Sequence, residues 1–387
     1  MALSLSLGDQ PMANRFLKQS ELWEEEPRYP LELFFCRYCS LVQLGATVLP
    51  ELMFSNYAYA SSTSASFRQH FEQLADKVIS MLGPKSYVVE IGSNDGILLK
   101  PLKERGVIAI GVEPATNLAS IATQQGVMTL NEFFSEETVA SLGEGSADAV
   151  VGCNVFAHIP EIAQCLKNIS RLLKPKGFLT MEVQDFRATI KDLTFDNCYL
   201  EHCFYWTLMS LQRFLASVGL RVFDASWIET HGGSLRVFAD KGVRDVQASV
   251  GNILRLEEAS NMGKVSTYKA FARRVRDIAD SLIALLNDLR DAGKTIAGYG
   301  APAKATTLLN YCGIGPKTIA YIVDDSPLKQ GLYTPGTHIP IFSPEELEIR
   351  RPDLILVLAW NFFEPIKEKT KHLGVPYILP VPPRVVM

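Results

Sequence analysis

Carboxylates surround a glycine-rich turn in the first third of the chain. The segment Glu90-Ile-Gly-Ser-Asn-Asp-Gly96 follows the apolar run Tyr87–Ile91 and precedes a helical pattern, which predicts a strand, a turn and a helix. A pyrophosphate would be repelled by Glu90 and Asp95, whereas a cationic ligand with an amino-acid tail would be attracted, and S-adenosylmethionine is such a ligand. Glu113 ends the next predicted strand, where a carboxylate can accept both hydroxyls of a ribose. We therefore expect S-adenosylmethionine rather than NAD here, the alternative being an ordinary turn of an α/β fold.

Histidines beside other polar groups mark three further segments: Asn154-Val-Phe-Ala-His158, Tyr199-Leu-Glu-His202 and His231-Gly-Gly-Ser-Leu-Arg236. His158 lies beyond the carboxyl end of the predicted strand Ala149–Cys153, where open α/β sheets place their sites. Histidine suits a general base because its ordinary pKa is near neutrality, and a nearby acid raises its basicity. Glu201 and His202 are sequence neighbours, so their pairing is a hypothesis, and any single histidine is more often a structural residue.

A second glycine turn, Gly298-Tyr-Gly-Ala-Pro-Ala-Lys304, combines glycine backbone with a lysine where a strand passes into a helix. This combination suits a diphosphate, although an ordinary turn explains it equally well. Tyr57 and Tyr59 precede the first predicted helix and either pack or contact a ligand.

Strands and helices alternate in two parts of the chain, which predicts α/β domains with parallel sheets covered by helices. Residues 61–82, 161–173 and 303–311 have helical patterns, and 245–290 form a long charged amphipathic stretch without a strand signal. The first fifty or so residues are expected to be irregular. The predicted strands are Tyr87–Ile91, Val107–Val112, Ala149–Cys153, Phe178–Val183, Thr295–Tyr299, Thr318–Val323 and Leu354–Leu358.

The composition is that of a globular protein. The 387 residues are 47% hydrophobic and 21% charged, which excludes disordered, collagen-like and heptad-repeat chains. A formal net charge of −4 gives no indication of a nucleic-acid or anionic-membrane partner. The densest late apolar run, Leu354–Trp360, is far shorter than a membrane helix. Seven cysteines without a signal peptide favour a reducing cytoplasm.

Taken together, the motifs resemble those of the nucleotide-sugar C-methyltransferases, which act on deoxysugars attached to a nucleoside diphosphate. The resemblance runs over nearly the whole chain, and the motifs are specific as a set because differently built segments recur in the same order. They are Asp9-Gln-Pro, Cys36-x-x-Cys39, Tyr57-Ala-Tyr59-Ala-Ser-Ser-Thr63, Glu90–Gly96, Asn154–Pro160, Tyr199–His202, His231–Arg236, Gly298–Lys304 and Asp324–Lys329.

The resemblance implies an architecture and a set of roles. It implies a small zinc-module remnant over 1–55, a Rossmann-like S-adenosylmethionine domain over 56–240, a helical bridge over 241–290 and a smaller Rossmann-like substrate domain over 291–387, with the sugar nucleotide between the last two domains. His202 would be the base, with Tyr199, Glu201 and His158 as catalytic companions. The cofactor would be bound by Tyr59, Glu90, Gly92, Asn94, Asp95, Gly96, Glu113 and Asn154, and the substrate by Tyr57, His231, Ser234, Arg236, Tyr299 and Lys304.

Two features depart from the family pattern. The family's zinc module has two Cys-x-x-Cys pairs, and this chain has only Cys36 and Cys39, half of the four ligands that structural zinc requires. Either the reading frame begins further upstream or the metal has been lost, and we expect no stoichiometric zinc in the chain as given. Leu200 stands where the family has a histidine, which concerns the substrate more than the chemistry.

The resemblance implies transfer of a methyl group to carbon. A base removes the proton beside a ketone, and the enolate then attacks the sulfonium methyl group. Two alternatives stay open: an O- or N-methyltransferase acting on another small molecule, and a binding protein that has kept the fold without turnover.

Overall fold

The computed structural model describes residues 1–55, 61–63, 65–83 and 85–387, and its strands form three sheets. In chain order the strands are β1 (Ala2–Pro11), β2 (Arg28–Phe35), β3 (Val42–Leu44), β4 (Tyr87–Ile91), β5 (Ile108–Val112), β6 (Met128–Leu130), β7 (Ala147–Cys153), β8 (Leu173–Gln184), β9 (Phe204–Tyr205), β10 (Arg221–Ile228), β11 (Ser234–Asp240), β12 (Ile296–Tyr299), β13 (Tyr321–Val323), β14 (Ile341–Phe342), β15 (Leu354–Val357), β16 (Tyr377–Pro380) and β17 (Pro383–Val386). The helices are α1 (Pro50–Phe54), α2 (Ala65–Ile79), α3 (Leu99–Glu104), α4 (Thr116–Gln124), α5 (Glu136–Leu142), α6 (Ile162–Leu172), α7 (Phe186–Asp192), α8 (Leu208–Ser217), α9 (Ala248–Ala259), α10 (Val265–Asp291), α11 (Ala303–Tyr311), α12 (Glu346–Ile349) and α13 (Phe363–Thr370).

The largest sheet has seven strands in the order β10-β11-β8-β7-β4-β5-β6. Strands β4 to β8 are parallel, and β11 and β10 complete the edge in antiparallel pairing. Neighbouring residues of β4 serve opposite faces, since Val88 packs with α2 and Val89 packs with α6. Such continuous apolar strands are typical of a parallel sheet covered on both sides. The predicted α/β class is confirmed, and the carboxyl ends of β4, β5, β7 and β8 lie along one edge.

A second sheet occupies the last third of the chain, with six strands in the order β14-β13-β12-β15-β16-β17. It is parallel from β14 to β16, and β17 is antiparallel. The three strands predicted here are present, although β13 is shorter than expected, and the predicted helix 303–311 is α11. The three strands at its edges, β14, β16 and β17, were not predicted.

The N-terminal segment is more regular than the sequence analysis expected. Strands β1, β2 and β3 form an antiparallel sheet that β9 extends to four strands. Alternate side chains of β1 and β2 are buried, including Leu5, Leu7, Leu31 and Leu33. This two-residue alternation, interrupted by prolines, is the strand signal that the prediction of an irregular segment overlooked.

The predicted helical stretch 245–290 divides between two cores. Helix α9 places Val250 and Ile253 in the core of the seven-stranded sheet. Helix α10, 27 residues long, packs Phe271 and Val275 against the N-terminal sheet and the last third of the chain. Charged residues occupy the remainder of α10, and within the described ranges no helix is both long and apolar enough to cross a bilayer.

Candidate functional site

The turn after β4 requires glycine. Gly92 has a φ of +67°, and a Cβ there would lie 2.8 Å from Cγ2 of Val155 in the turn after β7. The amide of Gly92 donates to the carbonyl of Val112 at 2.8 Å, so this turn is fastened to the end of β5. Asn94 and Gly96 also have positive φ. Gly92 therefore lies too close to the Val155 side chain to carry a side chain of its own.

Glu113, at the end of β5, holds this turn from the other side. Its two carboxylate oxygens accept the amides of Asn94 at 2.8 Å and Ala115 at 2.9 Å. The side chain is buried, and burial raises its pKa, although these two amide hydrogen bonds act in the opposite direction. Each carboxylate oxygen has a further lone pair, so Glu113 keeps the capacity to accept a ribose hydroxyl.

Two more carboxylates, those of Glu90 and Asp95, belong to the same turn. Glu90 and Asp95 are buried, and among the described residues Glu90 Oε2 and Asp95 Oδ1 have no hydrogen-bond partner. The other oxygen of Asp95 accepts the amide of Ser62 at 3.0 Å. Burial, together with the charges of Glu113, Asp95 and Glu182, raises the pKa of Glu90 well above its ordinary value. Unsatisfied carboxylate oxygens fit the positively charged ammonium and sulfonium groups of S-adenosylmethionine better than they fit a pyrophosphate.

Three predicted side chains meet beyond the end of β7. The ring centres of His158 and His202 are 4.8 Å apart, and those of Tyr199 and His202 are 4.1 Å apart. His202 Nδ1 is 3.1 Å from the carbonyl oxygen of Asn197. Because a carbonyl only accepts, this hydrogen bond requires a proton on Nδ1, and in the neutral ring the lone pair is then on Nε2. This is the tautomer that a general base needs.

The other predicted residues of this region have their own contacts. Glu201 is buried, and its carboxylate accepts a hydrogen bond from Asn14 Nδ2 at 2.6 Å, so one of its oxygens faces the N-terminal segment. Asn154 has a φ of +57°, and its amide donates to the carbonyl of Glu182 at 2.8 Å. Tyr57 and Tyr59 lie outside the described residues.

The segment after β10 contributes backbone and a buried ion pair. His231 lies in the 3-10 turn Thr230–Gly232, and its side chain is outside what the structure describes. Ser234 is buried and donates to the carbonyl of Thr230 at 3.0 Å. Arg236, on β11, donates through Nε to Glu182 on the neighbouring strand at 2.5 Å.

Sequence reasoning missed the partners of that ion pair. Glu182 is fully buried on β8, and its second oxygen lies 2.7 Å from Nε2 of His70 on α2. Burial opposes ionisation of Glu182, but the hydrogen bond from His70 and the charge of Arg236 keep its pKa below the ordinary value. The signal available was one acid inside the apolar run 178–183. The cluster fastens α2 to the sheet beside the glycine turn that follows β4.

The second glycine turn repeats the arrangement of the first. Gly300 has a φ of +87°, and a Cβ there would lie 2.6 Å from Cβ of Ala359. The amide of Ala301 donates to Asp324, at the end of β13, at 2.6 Å. The hydroxyl of Tyr299 donates to Asp325 Oδ1 at 3.0 Å. Burial raises the pKa of the Tyr299 hydroxyl. As in the first turn, an acid at the end of the neighbouring strand holds the glycine backbone.

Lys304 lies at the start of α11 and is largely buried. Its ammonium group donates to Asn361 Oδ1 and lies 3.6 Å from the centre of the Trp360 ring. Burial lowers the pKa of Lys304 to about 8, against the opposing effect of Asp196. A lysine whose pKa burial lowers to this extent is typical of functional sites.

The cysteine pair does not provide a zinc site by itself. Cys36 and Cys39 flank the turn after β2, where the amide of Cys36 donates to the carbonyl of Leu41 at 2.8 Å. Among the described residues, no group of three or more histidine, cysteine, aspartate or glutamate side chains could hold a metal ion. Two thiols do not fit a structural zinc ion, which requires four ligands. The absence of stoichiometric zinc stays a prediction, which elemental analysis of the purified protein tests.

Comparisons with known proteins add the family. Residues 229–382 match the model "C-methyltransferase C-terminal domain", 65–225 match "Methyltransferase domain" and 1–54 match "Putative zinc binding domain". The chain is 36% identical to the C-methyltransferase NovU of Streptomyces niveus over 392 residues, covering 99% of this chain and 93% of that protein.

Two more distant similarities concern part of the chain. A ubiquinone biosynthesis O-methyltransferase of Azorhizobium caulinodans is 26% identical over 31% of this chain and 47% of its own length. A solved magnesium protoporphyrin IX methyltransferase of Synechocystis, with S-adenosylmethionine bound, covers 44% of this chain and 78% of its own, at 16% identity and a TM-score of 0.35. The full-length match to NovU and the domain models carry the conclusion: the chain belongs to the C-methyltransferase family and is an S-adenosylmethionine-dependent methyltransferase.

Proposed function

We propose that the acceptor is a carbon beside the ketone of a nucleoside-diphosphate-linked keto-deoxysugar. The observation that carries the proposal is the contact of His158, Tyr199 and His202 beyond the carboxyl end of β7, next to the turn that we propose binds the cofactor. Proton removal from carbon needs a base, and the lone pair on His202 Nε2 supplies one. The second glycine turn, with Lys304, supports a diphosphate-bearing substrate.

In this proposal each polar group has one task. His202 removes the ring proton, and His158 or Tyr199 donates to the oxygen on which the enolate charge develops. S-adenosylmethionine supplies the methyl group that the enolate carbon accepts. Holding that carbon in line with the methyl group provides much of the rate. Glu201, bound to Asn14, would support the loop that carries His202.

We also propose how the two ligands divide the chain. Residues 56–240 would bind the cofactor through Glu90, Asp95 and Glu113, with Gly92, Asn94, Gly96, Asn154 and Tyr59 lining the same site. Residues 291–387 would bind the nucleotide through the turn Tyr299–Lys304, and 241–290 would join the two domains. His231, Ser234, Arg236 and Tyr57 would lie towards the sugar. The many free cysteines fit a reducing cytoplasm.

The test isolates proton removal from methyl transfer. Without methyl donor, wild-type protein should exchange the ring proton of a keto-sugar nucleotide with deuterated water, and His202→Asn should slow this exchange about a hundred- to ten-thousand-fold. S-adenosylhomocysteine binding, measured by calorimetry, should persist in His202→Asn. If exchange survives in this variant but is lost in His158→Asn or His231→Asn, one of those histidines is the base.

The position of the methyl group separates carbon transfer from oxygen transfer. The partial similarity to the ubiquinone O-methyltransferase is the observation that keeps transfer to oxygen as a second candidate. NMR of the product distinguishes a methyl group on carbon from one on oxygen. A product methylated on oxygen, together with absent proton exchange, would replace our proposal.

A further inference from the structure

Trp360 lies where three functional segments meet. It follows β15 in the 3-10 turn Trp360–Phe362. The face of its ring is 3.6 Å from the ammonium group of Lys304, and its Nε1 donates to Asp196 Oδ2 at 2.6 Å. A Cβ on Gly232 would lie 3.3 Å from the edge of the same ring. One side chain therefore contacts the second glycine turn, the segment before His202 and the turn that contains His231.

Asp196 connects this tryptophan to the candidate base. It is fully buried, and Trp360 provides the hydrogen bond to one of its oxygens, while Oδ1 has no partner among the described residues. Asp196 belongs to the 3-10 turn Phe195–Asn197, whose last residue presents its carbonyl to His202 Nδ1. Because a buried carboxylate tolerates the loss of a donor poorly, the indole bond holds this turn in place.

Helix α11 fastens the same turn at two more points. The hydroxyl of Thr307 donates to the carbonyl of Cys198 at 2.9 Å. The ring of Tyr311 packs edge-on against Phe195 at 5.6 Å. The loop that carries Tyr199 and His202 is thus held from the C-terminal part of the chain.

We propose that Trp360 and Asp196 are positioning residues that orient His202 from the C-terminal domain. The inference rests on the proposed function, in which His202 is the base. The indole N–H fixes Asp196, the turn of Asp196 presents the Asn197 carbonyl, and that carbonyl directs Nε2 of His202 towards the acceptor carbon.

The kinetic test removes the N–H and keeps the ring. Trp360→Phe should lower kcat about ten- to a hundredfold, since a displacement of about 1 Å costs about that much, while KM for S-adenosylmethionine stays within about twofold. Trp23→Phe is the matched control, because Trp23 is 91% exposed and takes part in none of the contacts described above, and its kcat should be that of the wild type. Wild-type kcat in Trp360→Phe would overturn the inference.

A pair of substitutions at Asp196 guards against a variant that merely folds poorly. Asp196→Asn keeps an oxygen for the indole and should retain kcat within a few-fold. Asp196→Ala removes the acceptor, and its kcat should be as low as that of Trp360→Phe. Equal kcat in the two Asp196 variants would show that the hydrogen bond does not position the base.

A spectroscopic readout separates this inference from the proposed function. In protein with ¹⁵N-labelled histidine, His202 should give the Nδ1–H tautomer, identified by the signal lost in His202→Asn, and Trp360→Phe should give a mixture of tautomers. This result does not depend on the acceptor, so wild-type protein that fails to exchange the sugar proton would refute the proposed function alone. A pure Nδ1–H tautomer in Trp360→Phe would refute the positioning role alone.

Discussion

At the scale of single residues, buried carboxylates distinguish the glycine turn that follows β4. Glu90 and Asp95 each keep an oxygen without a partner among the described residues, and Glu113 is engaged with two backbone amides. Like charges in a buried region favour protonation of one of them, and the pKa of Glu90 is the most strongly raised. A cationic ligand beside Glu90 acts against this rise in pKa and favours release of any proton that Glu90 holds.

We expect binding of S-adenosylmethionine to release that proton. The positive charges of the ligand should lower the pKa of Glu90, so affinity should rise with pH up to the pKa of Glu90 in the free protein. Calorimetry in two buffers of different ionisation enthalpy measures the release. Glu90→Gln should remove most of this proton release, whereas substitution of an exposed residue of α5, Glu137→Gln, should leave it unchanged. Undiminished release in Glu90→Gln would mean that Glu113 or another group carries the proton.

The pKa of Lys304 predicts a second pH dependence, in which binding of the sugar nucleotide weakens as the pH rises. Its pKa of about 8 means that the ammonium form, which attracts a diphosphate, is lost as the pH rises through this value. KM for the sugar nucleotide should therefore increase above about pH 8, and Lys304→Met should raise KM at all pH values and flatten the profile. Cofactor affinity, measured in parallel, should stay constant. An unchanged KM would move the diphosphate to another group, with Arg236 the next candidate despite its bond to Glu182.

At the scale of elements, the start of α8 depends on a glutamate from another helix. Glu257, on α9, is fully buried and accepts the amides of Leu208 at 2.6 Å and Met209 at 2.7 Å. These are two of the amides that a helix leaves without a partner at its N-terminus. Burial raises the pKa of Glu257 to about 7.

The raised pKa sets the sign of a stability prediction. The folded state holds a proton that the unfolded state releases near pH 4.5, so the contribution of Glu257 to stability should be lost as the pH rises towards 7. Glu257→Gln removes this dependence, and its free energy of unfolding relative to wild type should improve between pH 4.5 and pH 8 by a few kcal/mol at most. Urea unfolding at both pH values measures the difference. A constant difference would mean that Glu257 is ionised in the folded protein throughout this range.

The elements that the sequence predicts well are those with a local cause. Tyr87–Ile91 and Ala303–Tyr311 are defined by their own apolar pattern and by the glycine or proline beside them, and the structure has both. The ion pair of Glu182 with His70 and Arg236 joins three distant segments, so no local pattern reveals it.

The residues of the candidate site likewise divide into those that a local sequence pattern reveals and those that it does not. The acids of the first glycine turn stand together in the sequence, and their meeting could be predicted. The bond between Trp360 and Asp196 depends on how two domains pack, and its residues carry no motif that would have identified them.

At the scale of the whole molecule, one core is shared by distant parts of the chain. Leu33 of β2, Leu200 beside the candidate base, Leu282 of α10 and Leu356 of β15 belong to a single buried cluster. Polar contacts follow the same path, since Thr306 donates to the carbonyl of Ala13 at 2.9 Å. The N-terminal sheet is therefore part of the support of the C-terminal domain.

A cavity in that shared core should destabilise both the N-terminal sheet and the C-terminal domain. Leu33→Ala should lower the free energy of unfolding by about 2–5 kcal/mol. Hydrogen exchange should show weaker protection in β2, in α10 and in β12, while β7 stays protected. Val150→Ala, in the separate core of the seven-stranded sheet, is the matched control. It should weaken protection in β7 and leave β2, α10 and β12 protected. Loss of protection confined to the N-terminal sheet would show that the shared cluster does not couple the domains.

The strand β9 has a consequence for how the protein is made. Phe204 and Tyr205 pair with β3, so the N-terminal sheet is completed by two residues that leave the ribosome long after the other three strands. At about 5–20 residues per second, the ribosome needs roughly 8–30 s to reach them from β3. During that interval β3 is an open edge on the nascent chain, which an unfolded neighbour can pair with. Strand β9 can close this edge only after the segment that carries His202 has also been synthesised.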